Sequence, residues 1–291
     1  MSVAELTTSI QYTRIVSYAQ VASIVILSYD TLLTLDREIN TIWRSKFSVM
    51  KLMYLITRYS AFVEGGVVIA QLSIPGDWYV GCSLTFKLNA CLFVFGMGVG
   101  EIIMTNRTWV VWQKNRTMMF ALPIFYVTLW SGGFAAIAIF LGSIKFDPNP
   151  RTPYVGCYAT AASPIIFICW VLIFVYDLVM LILMAIPTFR VYRSGGSSRF
   201  MRMVYRDGVV YYIYLFALSL VNIIIALTFP TDLILIFSLM LRIIHALLAC
   251  RVVLHIKEYA NRVGDVSGQA IPILSLPNHT HPPRKSQSQF Q

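Results

Sequence analysis

The sequence predicts an all-α polytopic membrane protein, a receptor-like bundle of seven transmembrane helices, and three observations carry that expectation. Of its 291 residues, 57% are hydrophobic and 12% are charged, where a soluble domain carries about 25% charged residues. Apolar windows of about 20 residues, the length that crosses a bilayer core, recur seven times. They lie at about 15–35, 50–71, 83–105, 118–141, 164–186, 209–229 and 233–254. The basic residues behind the net charge of +10 sit in short segments between these runs. A nucleic-acid-binding domain would gather them on one soluble surface, so nucleic acid is excluded as a partner and the lipid bilayer is expected instead.

Taken in order, residues 1–14 are expected outside the membrane. They lack the basic segment, apolar core and cleavage site of a signal peptide, so the first span should act as its own insertion signal. Arg37, Arg44 and Lys46 follow that span, with Lys51 just inside the second; Arg107, Lys114 and Arg116 follow the third. Arg190, Arg193, Arg199, Arg202 and Arg206 separate the fifth from the sixth, and Arg251, Lys257, Arg262, Arg284 and Lys285 follow the seventh. Against these seventeen, the other side holds Arg14, Lys145 and Arg151, with Lys87 just inside the third span. The asymmetry predicts an N-terminus outside and a C-terminus in the cytoplasm, and the plasma membrane is the expected location. Trp43, Trp109 and Trp112 near the inner interface, and Trp78 with Tyr79 near the outer, read as anchors. Gly96-x-x-x-Gly100 offers a flat face on which a neighbouring helix can approach. The membrane domain, 15–263, ends in RVVLHIKEYANRVG, which either lies along the inner surface or extends the seventh helix. Residues 264–291, rich in Ser, Pro, Gln and His, are expected to form a disordered cytoplasmic tail.

Chemistry is expected where charges enter lipid, because a lone ion at such depth costs several kcal/mol. Those residues are Asp30, Arg58, Glu64, Lys87, Glu101, Asp177 and Arg242. Asp30 and Arg58 fall at similar depths in the first two spans and are expected to pair. Glu64, Lys87, Arg242 and His245 are the candidate ligand cavity in the outer half, weighed against simple pairing between helices; Asn222 is a further candidate for its wall. Cys82 and Cys157 both fall on the outer side, where disulfides persist, and are expected to bridge. Cys91, Cys169 and Cys250 fall inside spans and read as small hydrophobes. The histidines lack ligand spacing, and neither a G-x-S-x-G elbow nor a GxxxxGK[ST] loop is present, so no metal, cofactor or enzymatic activity is expected. The sequons at Asn106, Asn115 and Asn278 fall on the predicted cytoplasmic side and should stay unglycosylated.

YDTLLTLDREINTIW followed by KLMYLITRY resembles the signature of a large fungal family of seven-helix membrane proteins of unknown function. Within 29–59 the positions that carry the likeness are Tyr29, Asp30, Asp36, Glu38, Trp43, Lys51, Tyr54, Arg58 and Tyr59; Arg107, Cys157, Arg251 and Glu258 extend it along the chain. The resemblance implies the fold and a fungal source, and no established activity. Seven spans with an outer disulfide also match the architecture of G-protein-coupled receptors. TNRTW, however, stands where the rhodopsin-like class carries Glu/Asp-Arg-Tyr, and the seventh span lacks Asn-Pro-x-x-Tyr. That span also has no lysine for a retinal Schiff base. The expected function is a receptor-like sensor that couples an outer pocket to a cytoplasmic signalling partner, with a small-solute transporter or channel as the alternative. Arg199, Arg202 and Arg206, at helical spacing, form the candidate stripe for that partner.

Overall fold

The computed structural model describes residues 3–74, 79–146, 159–161, 165–193, 199–229, 233 and 236–270; of these, the side chains of 3–7, 9–10, 79, 145–146, 159–161, 191–192, 199–208 and 259–270 are outside the description. Seven helices follow one another: α1 (Val3–Glu38), α2 (Val49–Ser73), α3 (Tyr79–Val111), α4 (Arg116–Ser143), α5 (Ile166–Arg193), α6 (Arg199–Thr228) and α7 (Ser238–Ala270). All seven contain a stretch long and apolar enough to cross a membrane. A short antiparallel pair, β1 (Lys145–Phe146) with β2 (Ala159–Ala161), joins α4 to α5. The helices run longer than the apolar windows. α7 starts after a turn closed by Ile236 N–H on the Leu233 carbonyl and continues to Ala270, past the expected tail boundary at Gly264. A helix nucleated within the membrane adds one hydrogen bond per residue and so carries polar residues beyond the lipid. Residues 271–291 lie outside the described residues.

The connections at the end rich in Lys and Arg, called here the basic end, are tight and locally encoded. α1 passes into a π-helical turn, Ile39–Trp43, closed by Arg44 N–H on the Ile39 carbonyl at 3.3 Å. Lys51 Nζ then donates to the carbonyls of Trp43 and Ser45, and Ser48 caps α2 by accepting from Lys51 N–H at 3.2 Å. Between α3 and α4, Gln113 and Lys114 take the left-handed backbone (φ 53° and 56°) and reverse the chain. Asn115 caps α4, its Oδ1 accepting from Thr117 N–H at 2.8 Å.

Within the spans, hydroxyl side chains donate to their own helix. Ser23, Ser28, Thr31 and Thr34 each bond the carbonyl four residues back, which satisfies them where water is absent. α7 is the most enclosed span: 67% of its most apolar window is buried, against 11% for α4 and 44% for α3. It packs against α1, α2, α3 and α6. Leu27, Ala61, Val68, Ile243 and Ala246 form the core between α1, α2 and α7, while Met104, Tyr176, Met180, Met184, Tyr212 and Leu215 fill the space between α3, α5 and α6.

The glycine face of α3 receives a guanidinium and an imidazole rather than another helix backbone. A Cβ at Gly96 would stand 1.9 Å from Nη2 of Arg242, and one at Gly100 would stand 2.6 Å from Cε1 of His245. Arg242 is fully buried and is tied to Glu64 and Ser60, contacts that would be lost if it moved. Gly96→Ala and Gly100→Ala should each lower stability by about 1–3 kcal/mol through overpacking. Gly66→Ala, whose Cβ meets nothing within 4 Å, should be neutral or stabilise by up to about 1 kcal/mol. Thermal unfolding of the purified variants in detergent checks the contrast.

Candidate functional site

Two charged layers stand in the bundle, and α7 belongs to both. At the basic end, Glu38, the last residue of α1, is fully buried and pairs with Arg58 of α2, Oε2 to Nε at 2.9 Å. Its other oxygen accepts from Tyr59 Oη at 3.0 Å and from Trp43 Nε1 at 3.1 Å, the latter brought beneath it by the π-helical turn. Arg58 also donates to Thr34 Oγ1 at 2.6 Å and to Tyr54 Oη at 3.1 Å, and its guanidinium lies 5.9 Å from the Tyr54 ring centre. Asp30 pairs instead with Arg251 of α7, and Arg37 grips Glu258 with two parallel bonds of 2.7 and 2.8 Å. A fork of that kind fixes orientation as well as distance.

The expected pairing of Asp30 with Arg58 is therefore corrected: both are ionic partners, but of Arg251 and Glu38. Two features of helix geometry produce the exchange. α1 runs through Glu38 and the π-helical turn instead of stopping near 35, so Asp30 lies about 20 Å from Trp43, deeper than Arg58 at about 13 Å from the start of α2. Side chains also lean toward the N-terminus of their own helix. Arg58 thus leans toward the basic end and Glu38, while Asp30 leans away from that end and meets Arg251, which leans the same way from α7.

The second layer lies deeper. Glu64 of α2 pairs with Arg242 of α7 at 3.3 Å, and Arg242 also donates to Ser60 Oγ at 2.9 Å. Glu101 of α3 meets His245 of α7, Oε1 to Nε2 at 2.8 Å. All four are at most 2% exposed. Arg242 and His245 are almost one turn apart on α7, and they stand over Gly96 and Gly100, one turn apart on α3. That matched spacing is legible in the sequence once the two helices are known to be neighbours. Asp177 of α5 is buried as well and accepts from Ser219 of α6.

Two adjoining cavities open beside this layer and share Phe93, Ile137, Cys169 and Ile173. One, of about 510 Å³ with its open mouth included, is walled by Glu101, Trp130 and Tyr176; the other, of about 620 Å³, is walled by Glu64, Asn89 and Trp170. Of the expected cavity residues, Glu64 lines a cavity, while Arg242 and His245 stand behind the carboxylates. Lys87 does not join them. It lies on the exposed stripe of α3 with Leu84, Leu88, Cys91 and Phe95, about a quarter-turn from the inward Phe86 and Ala90. Asn222 lines neither cavity and donates to the Leu218 carbonyl of its own helix at 3.0 Å. Glu101, named among the intramembrane charges but not in the expected cavity set, lines the other cavity.

The remaining expected residues divide by position. Tyr29 is exposed on α1, Asp36 accepts from Asn40 at 3.1 Å, and Arg107 is buried against the Tyr211 ring at 5.8 Å. Cys82 is buried at the start of α3, and Cys157 lies outside the described residues; Cys91, Cys169 and Cys250 are free thiols. Arg199, Arg202 and Arg206 occupy the first two turns of α6, with their side chains outside the described set.

Residues 18–63 match the model of a family of unknown function, DUF6533. The matched stretch takes in most of α1, the π-helical turn and the first part of α2, and so contains Asp30, Glu38, Arg58 and Tyr59. Arg251 and Glu258, which complete the layer from α7, lie beyond it. A search of curated proteins finds no match.

Removing one partner of a buried ion pair strands the other, at a cost of about 3–5 kcal/mol. A double-mutant cycle on Glu38→Ala and Arg58→Ala, read by unfolding in detergent, should therefore show coupling of about 1–3 kcal/mol. The cycle on Asp30→Ala and Arg251→Ala should show coupling as well. Asp30→Ala with Arg58→Ala should be the most nearly additive of the three, and a larger coupling there than for Glu38 with Arg58 would reverse the assignment.

Proposed function

We propose that the chain is a receptor-like sensor, in which a ligand held in the adjoining cavities acts on α7 and α7 acts on the basic end. One observation supports this most directly. The partners of the cavity carboxylates, Arg242 and His245, and the partners of the basic-end residues, Arg251 and Glu258, are on the same buried helix. A ligand that alters the first layer shifts a rigid element whose other charges are gripped by α1, and interfaces of this kind move between discrete packings rather than deforming smoothly. In this reading the basic end faces the cytoplasm, the protein resides in the plasma membrane, and Arg199, Arg202 and Arg206 meet an acidic signalling partner. Cys82 and Cys157 bridge on the outer side. The resemblance to a fungal family supports the seven-helix part of the reading and adds no activity. A small-solute transporter is the alternative, favoured by the buried Glu64, Glu101, Asp177 and His245, which are the residue types of proton relays. The seven described helices run without the breaks that transporter sites use.

Changing Arg199, Arg202 and Arg206 together to Gln, with Arg190 and Arg193 left to hold orientation, separates the readings. A sensor keeps its surface level and topology and loses its cytosolic response; a transporter keeps its uptake. Survival of every measurable response after the triple change rejects the partner stripe. For the outer side, a non-reducing peptide map should recover Cys82 and Cys157 on one linked fragment. Alkylation of both without prior reduction rejects the bridge.

A further inference from the structure

The Glu101–His245 contact leaves a charge unbalanced. Glu64 has Arg242, a permanent cation. Glu101 has only an imidazole, and the surroundings of that imidazole set its proton. His245 Nδ1 has no hydrogen-bond partner among the described residues and packs on Gly100, where an added Cβ would stand 2.7 Å away. A buried N–H without an acceptor is costly, so the satisfied form carries one proton, on Nε2, donated to Glu101 Oε1. The ring is then neutral and the carboxylate keeps its charge. Its second oxygen, Oε2, is buried and has no hydrogen-bond partner among the described residues.

The neighbouring hydroxyls are already committed. Thr105 Oγ1 donates to the Glu101 carbonyl at 2.7 Å, so the Tyr176 hydroxyl, in contact with it, donates to Thr105. Tyr126 Oη donates to the Gly98 carbonyl at 3.2 Å. Around this carboxylate the cavity is aromatic and apolar, with Phe93, Trp130 and Tyr176 in its wall. Its floor, at Val94, Glu101 and Tyr176, is buried, and its rim on α4 and α5, at Leu129, Gly133 and Leu172, is half-buried. The geometry points to a ligand with an apolar body and one cationic group, a protonated amine seated on Glu101 Oε2 between aromatic faces. Such faces attract a cation by their quadrupole, and a charge-assisted bond to the carboxylate fixes its position. This assignment rests on the cavity being a ligand site, as the sensor reading requires, and names the ligand class.

The test uses the full chain in nanodiscs, with 1-naphthylmethylamine as probe and 1-naphthylmethanol as its neutral counterpart, titrated by naphthalene fluorescence. The amine should bind at least about tenfold more tightly than the alcohol. Glu101→Gln should erase that preference while leaving the alcohol unchanged. Gly133→Leu supplies the second variant: a Cβ there meets nothing within 4 Å, so the larger side chain enters the cavity and should weaken both probes. Hexadecylamine placed in the nanodisc lipid distinguishes the sources. Competition with the probe assigns a membrane-borne amine and lack of competition a soluble one, and both agree with the assignment if Glu101→Gln removes the preference. Equal binding of amine and alcohol, a preference that survives Glu101→Gln, or binding unchanged by Gly133→Leu overturns it. No signalling is measured, so the result stands apart from the outcome of the arginine stripe test.

Discussion

A charge carried into lipid has to be met by an opposite charge or a dense set of hydrogen bonds, and in this bundle α7 is where most of that matching occurs. Arg242, His245, Arg251 and Glu258 reach Glu64, Glu101, Asp30 and Arg37 on the first three helices of the sequence. None of these contacts forms within one helix, so each is a statement about which helices are neighbours. The high burial of α7 follows from this, because a helix that supplies partners to α1, α2 and α3 has to stand among them. Gly96 and Gly100 are part of the same constraint, since only the absence of a side chain leaves room for a guanidinium and an imidazole against α3.

The other side of the bundle is held differently. Between α3, α5 and α6 the links are hydroxyl bonds and rings: Thr105 with Tyr176, Thr108 with Tyr212 at 2.8 Å, and Ser219 with Asp177. Phe125 stacks on Tyr176 at 5.6 Å, and methionines fill the gaps, as unbranched, polarizable side chains do. The cavities lie along the seam between the ionic half and this softer half. A pocket there has charged groups on one wall and deformable apolar surface on the other, which suits a ligand whose polar group is small and whose body varies.

The π-helical turn at the end of α1 shows how local backbone serves the ionic layer. Its wider hydrogen-bond ring lets Trp43 fold back under Glu38, while Lys51 holds the carbonyls that the turn leaves behind. The segment that matches a family of unknown function is thus a hairpin whose charged residues are largely consumed in holding α1 to α2 and presenting Asp30 and Arg37 to α7. Its polarity is architectural at most positions, and the groups open to chemistry lie deeper, on α2 and α3.

The number of spans and the uneven spread of basic residues were legible in the sequence, because hydropathy and charge are sums over neighbours along the chain. The importance of the 29–59 stretch was legible too, since eight charges and five aromatic rings so close to lipid need partners. Which partner each charge takes was not. Asp30 and Arg58 match in depth only if α1 ends where its apolar run ends, and the helix continues through Glu38 because backbone hydrogen bonding does not stop at the lipid boundary. Lys87 and Glu101 were told apart by rotation about α3, an angle that composition does not contain. The pairing of α7 with α1, α2 and α3, and the cavity that it leaves beside Glu101, were decided by tertiary structure, because charges far apart in sequence meet only when the helices are packed.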